Sequence, residues 1–311
     1  MNPLRTLILA AAGNEALRRV VATAPVSRDV VRRFVAGETA ADAIDVAGRL
    51  VGDDLRVTLD HLGEDAATRS AAERTVLAHL RLLDELHAVG LAADVEVGVA
   101  LPAVGLALNE SLALTNASRI CAAAEQAGTT VTLDARRHDE VEPTLRVLAE
   151  LRRAWPLTGV ALRAHLRRTP DDCRELAGTR VRLCEDACGG TAHGDPASVA
   201  FTDPHEVDLN YVRCANTLLE GSGRPVFATH DPRLVEIVAE RARWYSRPVD
   251  GFEYQLPYGV RPAAQRHLVA EGHVVRVRVP YGDQWYGHVV RGLAERPANA
   301  APFLRSLLGR S

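Results

Sequence analysis

From residue 55 onward the sequence repeats one unit eight times: a short β-branched run, then a longer stretch with helical spacing. The runs fall at 55–60, 94–101, 129–134, 158–166, 179–185, 225–230, 251–256 and 273–279. Between the first two, Val76, Leu80, Leu83 and Leu86 share one face of a helical stretch over 66–89. Similar stretches lie near 110–127, 142–154, 205–219, 232–243, 261–270 and 283–294, with a shorter one at 170–177. Parallel strands need crossovers of this kind, and eight such units point to a closed barrel more than to an open sheet. The expectation is an α/β fold, a (β/α)8 TIM-type barrel over 55–311, with 1–54 as an N-terminal helical arm packed on it.

Charge and residue usage narrow the chemistry. The 37 basic and 40 acidic residues leave a net charge of −3, without the electrostatic footprint of a nucleic-acid binder. All 37 basic residues are arginine. A chain without lysine can form no internal Schiff base and no Walker-type phosphate loop, which excludes those enzyme classes. The cysteines, at 121, 173, 184, 188 and 214, are odd in number, in a chain too large to need disulfide staples. That usage fits a reducing, cytoplasmic setting. Cys184 and Cys188 lack the second pair of a structural zinc site. The longest apolar run is far short of the roughly 18–20 residues a membrane span needs. The start, from Leu4 to Ala10, faintly resembles a signal peptide, but its helical pattern continues through Leu17, Val20 and Val21 and reads as an amphipathic helix.

In barrels of this kind active sites gather at the C-terminal strand ends and the loops after them. Those ends carry Asp60-His61-Leu62-Gly63-Glu64, Asp134, His165, Cys184-Glu185-Asp186, Thr229-His230-Asp231, Tyr258-Gly259 and Tyr281-Gly282. Polar groups at so many ends favour an enzyme, although each also has a role as a cap, turn or ion-pair residue. His138, His165, His193, Cys184 and Cys188 match no compact ligand spacing, so no metal is assigned. Gly189-Gly190 lacks the helix signature of a dinucleotide fingerprint and reads as loop.

A family resemblance rests on the C-terminal stretch. Val279-Pro280-Tyr281-Gly282-Asp283-Gln284-Trp285-Tyr286, followed by Arg291-Gly292-Leu293-Ala294-Glu295-Arg296-Pro297-Ala298-Asn299, resembles the signature of proline dehydrogenases. Thr132-Leu133-Asp134, Leu166-Arg167-Arg168-Thr169, Arg182-Leu183-Cys184, Ala228-Thr229-His230-Asp231-Pro232 and Tyr254-Gln255-Leu256-Pro257-Tyr258-Gly259 add to it in the right order. The resemblance implies an FAD-dependent barrel that moves a hydride from proline to the flavin, gives pyrroline-5-carboxylate, and passes electrons to an unidentified acceptor. It implies that Arg182 lies near the reactive edge of the flavin, that Asp134 supports the flavin site, and that Thr229 and His230 help to hold the cofactor. It further implies that Arg291 binds a substrate anion, with Glu295 orienting it from the same helix face.

Other family positions are changed. The second arginine of the family pair is Gly292, and the lysine after an early strand is Ala100. Family tyrosines are replaced by Cys188, Arg278 and His288, and a wall leucine by Pro257. Charge-assisted hydrogen bonds contribute about 1.5–3 kcal/mol each, so losing two cations costs about 3–6 kcal/mol, or roughly two to four orders of magnitude in binding. A proline-related or other small anionic amine is therefore expected in place of free proline, with Arg291, Arg278 and His288 in its pocket.

The family glutamine beside the flavin is Arg163, a glycine is Asp186, and the lysine before it is Glu185. Two readings stay open. In one, Arg163 joins the cofactor site and stabilises reduced-flavin charge; in the other, the longer side chains fill the cavity and the barrel is flavin-free, a non-redox enzyme or a binding or regulatory pseudoenzyme. Pairing Arg163 with Asp186 or Glu185, and Arg291 with Glu295, leaves Arg278 for an exogenous carboxylate or phosphate, unless it points outward into solvent.

Overall fold

The computed structural model describes residues 33–135, 137–185 and 197–285. Helix α1 (Ala40–Gly52) begins with a capping box, in which the side chains of Thr39 and Asp42 each accept the other's backbone N–H. Then follow β1 (Arg56–His61), α2 (Arg69–Ala88), β2 (Val95–Ala100), a 3₁₀ turn at Leu101–Val104, α3 (Glu110–Ala127), β3 (Val131–Asp134), α4 (His138–Leu151) and β4 (Gly159–Arg163). The second half holds α5 (Thr169–Leu176), β5 (Val181–Cys184), α6 (Pro204–Glu220), β6 (Val226–Ala228), α7 (Pro232–Trp244), β7 (Glu253–Pro257), α8 (Pro262–Ala270) and β8 (Val274–Tyr281). Every neighbouring pair of strands is parallel, and β8 returns to pair with β1. The expected barrel is present, strand for strand.

The strand ends differ from expectation where side chains intervene. β4 stops at Arg163, three residues early, because the Thr169 hydroxyl donates to the Arg163 carbonyl and Leu166 bridges to Ala200. β6 spans only Val226–Ala228, so Thr229 and His230 lie on the loop beyond it. β8 runs two residues further than expected, because β1 reaches His61 and keeps it paired through Tyr281. Most of the helix expected at 283–294 and most of the arm at 1–54 lie outside the described residues.

Both faces of this sheet are buried, and they differ in chemistry. Val57, Leu59, Val131, Leu133, Val181 and Leu183 sit in the apolar core with Val76 and Leu83 of α2, Ile120 of α3, Val147 of α4 and Leu218 of α6. The alternating positions face the barrel interior, where contacts join neighbouring strands and also reach between strands that are not neighbours. Gln255 Nε2 donates to Thr58 Oγ1 at 2.9 Å, and Thr58 donates to Glu96 Oε1 at 2.8 Å. Arg180 bridges Glu96 at 2.7 Å and Glu253 at 2.9 Å, and Arg276 Nε meets Glu253 at 2.5 Å. The interior of such a barrel is ordinarily packed with branched aliphatics; here its floor is a satisfied ionic network. Burial pushes the carboxyls of Glu96 and Glu253 up, but Arg180 and Arg276 outweigh it and hold both below the usual carboxylate range.

Candidate active site

Above this floor, three arginines converge on one carboxylate at the C-terminal mouth. Asp134 ends β3. Arg163, at the end of β4, brings Nη2 to 2.7 Å from Asp134 Oδ1, and its Nε donates to the Ala135 carbonyl at 3.2 Å. Arg278 reaches across from β8 to place Nη2 3.1 Å from Asp134 Oδ2, while its Nε donates to Asp60 Oδ2 on β1. Arg182 of β5 has Nη2 3.7 Å from Asp134 Oδ1, an ion-pair separation beyond hydrogen-bond reach. The three side chains are 8%, 30% and 1% exposed for Arg163, Arg278 and Arg182. Burial pulls the Arg278 pKa down, but Asp60 and Asp134 more than offset that and raise it, so the guanidinium stays charged.

Arg182 is the exceptional member. Its Nε, Nη1 and Nη2 are all buried without a hydrogen-bond partner. Buried donors in that state cost free energy unless an acceptor arrives, so they mark a place built for an acceptor-bearing group.

Asp60 is held by an unusual seat. A Cβ on Gly98 of β2 would lie 1.8 Å from Asp60 Oδ1, so glycine at 98 is what lets the carboxylate lean over that strand. Ala100, two residues further along β2 and in register with Asp134, brings no charge to that side.

A second group lies across the mouth. Glu185, just past β5, accepts from the Thr229 hydroxyl and stands 3.7 Å from His230 Nδ1. Thr229 Oγ1 also accepts the Asp231 N–H at 3.0 Å, and Asp231 caps α7 by accepting from Arg233 N at 2.8 Å. Arg261 Nη1 donates to the His230 carbonyl at 2.8 Å, which ties this loop to the one after β7.

The expected site residues Arg163, Arg182 and Arg278 therefore meet around the Asp134 carboxylate, while Thr229 and His230 are grouped with Glu185. Arg163 stands against Asp134, and Glu185 against Thr229 and His230; the expected pairing of Arg163 with Asp186 lies outside the described residues. One expectation changes. Arg278 neither points outward nor lacks an acid, because position 278 shares the inward face with Arg276 and meets both Asp60 and Asp134. In the sequence Asp60 is one of several strand-end polar residues. Its parity with Thr58 and its register with Gly98 are the signals that identify it. Arg291, Glu295, His288, Cys188 and Gly292 lie outside the described residues. Among the described residues no group of three or more His, Cys, Asp and Glu is placed to hold a metal ion.

Fold and mouth together define a (β/α)8 barrel with a polar, cation-rich site at the C-terminal face. The family profile described as proline dehydrogenase matches residues 43–182 and 191–300. Proline dehydrogenase 1 of Bacillus subtilis (strain 168) is 32% identical over 279 residues, covering 89% of this chain and 90% of that protein. Proline dehydrogenase of Deinococcus radiodurans is 33% identical over 285 residues, covering 90% of each. The chain is also similar to the crystal structure of proline utilization A from Bdellovibrio bacteriovorus inactivated by N-propargylglycine, with a TM-score of 0.80 at 22% identity. That match covers 92% of this chain and 34% of the larger protein. The chain belongs to the proline dehydrogenase family, whose members are FAD-dependent oxidoreductases.

Proposed function

We propose that this chain is a flavin-dependent oxidoreductase with an altered pocket, acting on a proline-related or other small anionic amine rather than on free proline. The observation that carries this reading is Arg182, whose buried guanidinium has three nitrogens without hydrogen bonds and fits a group rich in acceptors. FAD bound there would supply the hydride acceptor. Arg182 would donate to it, Thr229 and His230 would hold it from the loop after β6, and Arg163 would add a second positive charge. Asp134 would keep the guanidiniums of Arg163, Arg182 and Arg278 in place rather than act as a free base. Arg278, with Arg291 and His288, would receive the substrate anion, and Glu295 would orient Arg291. An electron acceptor outside the chain completes turnover.

A second reading is favoured by one observation: Thr229 already donates to Glu185, and two arginines reach into the mouth. On that reading the barrel is flavin-free and serves as a non-redox enzyme or a binding protein. An assay with FAD and an artificial electron acceptor separates these. The proposal expects little turnover of proline and faster turnover of a related cyclic or N-substituted amino acid. Proline turnover in the ordinary range of about 1–10³ per second contradicts the altered pocket; no turnover of any amine supports the flavin-free barrel.

A further inference from the structure

We infer that Asp60 and Arg278 form a two-point receptor for an amino-acid zwitterion, with Asp60 Oδ1 taking the ammonium and the Nη1 edge of Arg278 taking the carboxylate. This rests on the reading of the mouth as a small-amine site, and it names the pair that selects the substrate there.

The argument begins with what each side chain leaves unused. Asp60 Oδ2 accepts from Arg278 Nε, and among the described residues no donor reaches Oδ1. Arg278 uses Nε on Asp60 and Nη2 on Asp134, and among the described residues no acceptor reaches Nη1. At 30% exposure it is the most open of the three mouth arginines. An acceptor without a donor, on the buried Asp60, and a donor edge without an acceptor, on Arg278, thus belong to residues of the neighbouring strands β1 and β8 that are joined by their own ion pair. An amino acid carries the complementary pair of charges, one carbon apart.

Both partners are also fixed before any ligand arrives. Gly98 gives Asp60 its seat, since a methyl group there would overlap Oδ1. Two carboxylates from different strands hold Arg278 in one orientation. Groups fixed in this way lose less freedom on binding than mobile surface charges do. Ala100 leaves the β2 side of the mouth without a cation, so the carboxylate's direction is set from β8.

Charge alone and two-point recognition predict opposite results when Asp60 is neutralised. Removing a negative charge beside an arginine leaves a simple carboxylate bound as well or better. It weakens a zwitterion, whose ammonium loses its acceptor. Two ring-matched probes exploit this: proline, which has the ammonium, and cyclopentanecarboxylate, which lacks it. Their binding to the purified full-length chain is read by titration calorimetry, with thermal unfolding of each variant as the folding control.

The wild type is expected to prefer proline by about tenfold or more, whatever its turnover. Asp60→Asn should abolish that preference while cyclopentanecarboxylate binds at least as tightly as before. Arg278→Gln should weaken both probes by about tenfold or more. Gly98→Ala should behave like Asp60→Asn, because it evicts the carboxylate without deleting it; should it not fold, Asp60→Asn decides alone. A preference undiminished in Asp60→Asn overturns the two-point receptor and leaves the small-amine reading standing. Equal binding of the two probes by the wild type overturns the receptor as well. Unchanged affinities in Arg278→Gln overturn both the receptor and the anion role of Arg278.

Discussion

Asp60 and His61 are neighbours on β1 that alternation sends to opposite sides of the sheet. Asp60 enters the mouth, whereas His61 faces α2, with ring centroids 5.7 Å from His79 and 5.3 Å from Tyr281. Burial first, and His79 second, pull the His61 imidazole down to about 4, with Asp283 opposing them. An unfolded histidine titrates near 6.5. Between these values the unfolded chain binds the extra proton, so the contribution is complete above about pH 6.5 and is lost as pH falls towards 4. His79, also lowered by burial, acts in the same sense. Urea midpoints should therefore fall between pH 7 and pH 5, and His61→Gln should flatten that slope; equal wild-type midpoints would contradict the burial of a neutral imidazole. At this scale the sequence was partly legible. Arg182, Asp134, Thr229 and His230 stand in strand-end motifs, but the Asp60–Arg278 pair joins residues 218 apart and emerges only once β8 closes on β1.

Leu133 of β3 is wholly buried between the sheet and its helices, and the strand assignment depends on that placement. Leu133→Ala should cost about 2–5 kcal/mol through the cavity it leaves. Chemical denaturation showing almost no change would contradict its packing. Short β-branched runs between helical stretches make all eight strands readable in the sequence. It could not show which face turns inward, because a parallel sheet covered by helices is buried on both sides and the pattern loses its contrast. The charged positions Glu96, Arg180, Glu253 and Arg276 hold the answer, since only the interior lets residues of β2, β7, β8 and the approach to β5 meet. Strand ends were less legible, because side-chain contacts such as Thr169 on the Arg163 carbonyl set them.

Closure of the barrel is what brings β1, β3, β4, β5 and β8 to one mouth and turns scattered arginines into a site. The fold alone names no reaction, because barrels of this kind host many chemistries. The family supplies the reaction class, and the mouth of this chain has no cation at Ala100 and a guanidinium at 278 held by Asp60 and Asp134. The pairing of those groups stayed beyond the sequence, because it depends on which strands the closed barrel brings together. The central claim is that the Arg182 guanidinium, near Asp134 but without a hydrogen bond, is a seat for flavin, and FAD binding by the full-length chain tests it most directly. Gently purified protein should be yellow, or should take up added FAD saturably, and release it on denaturation; Arg182→Leu should weaken that binding by about tenfold or more while the fold persists. A folded wild-type chain that neither carries nor takes up FAD would contradict the account.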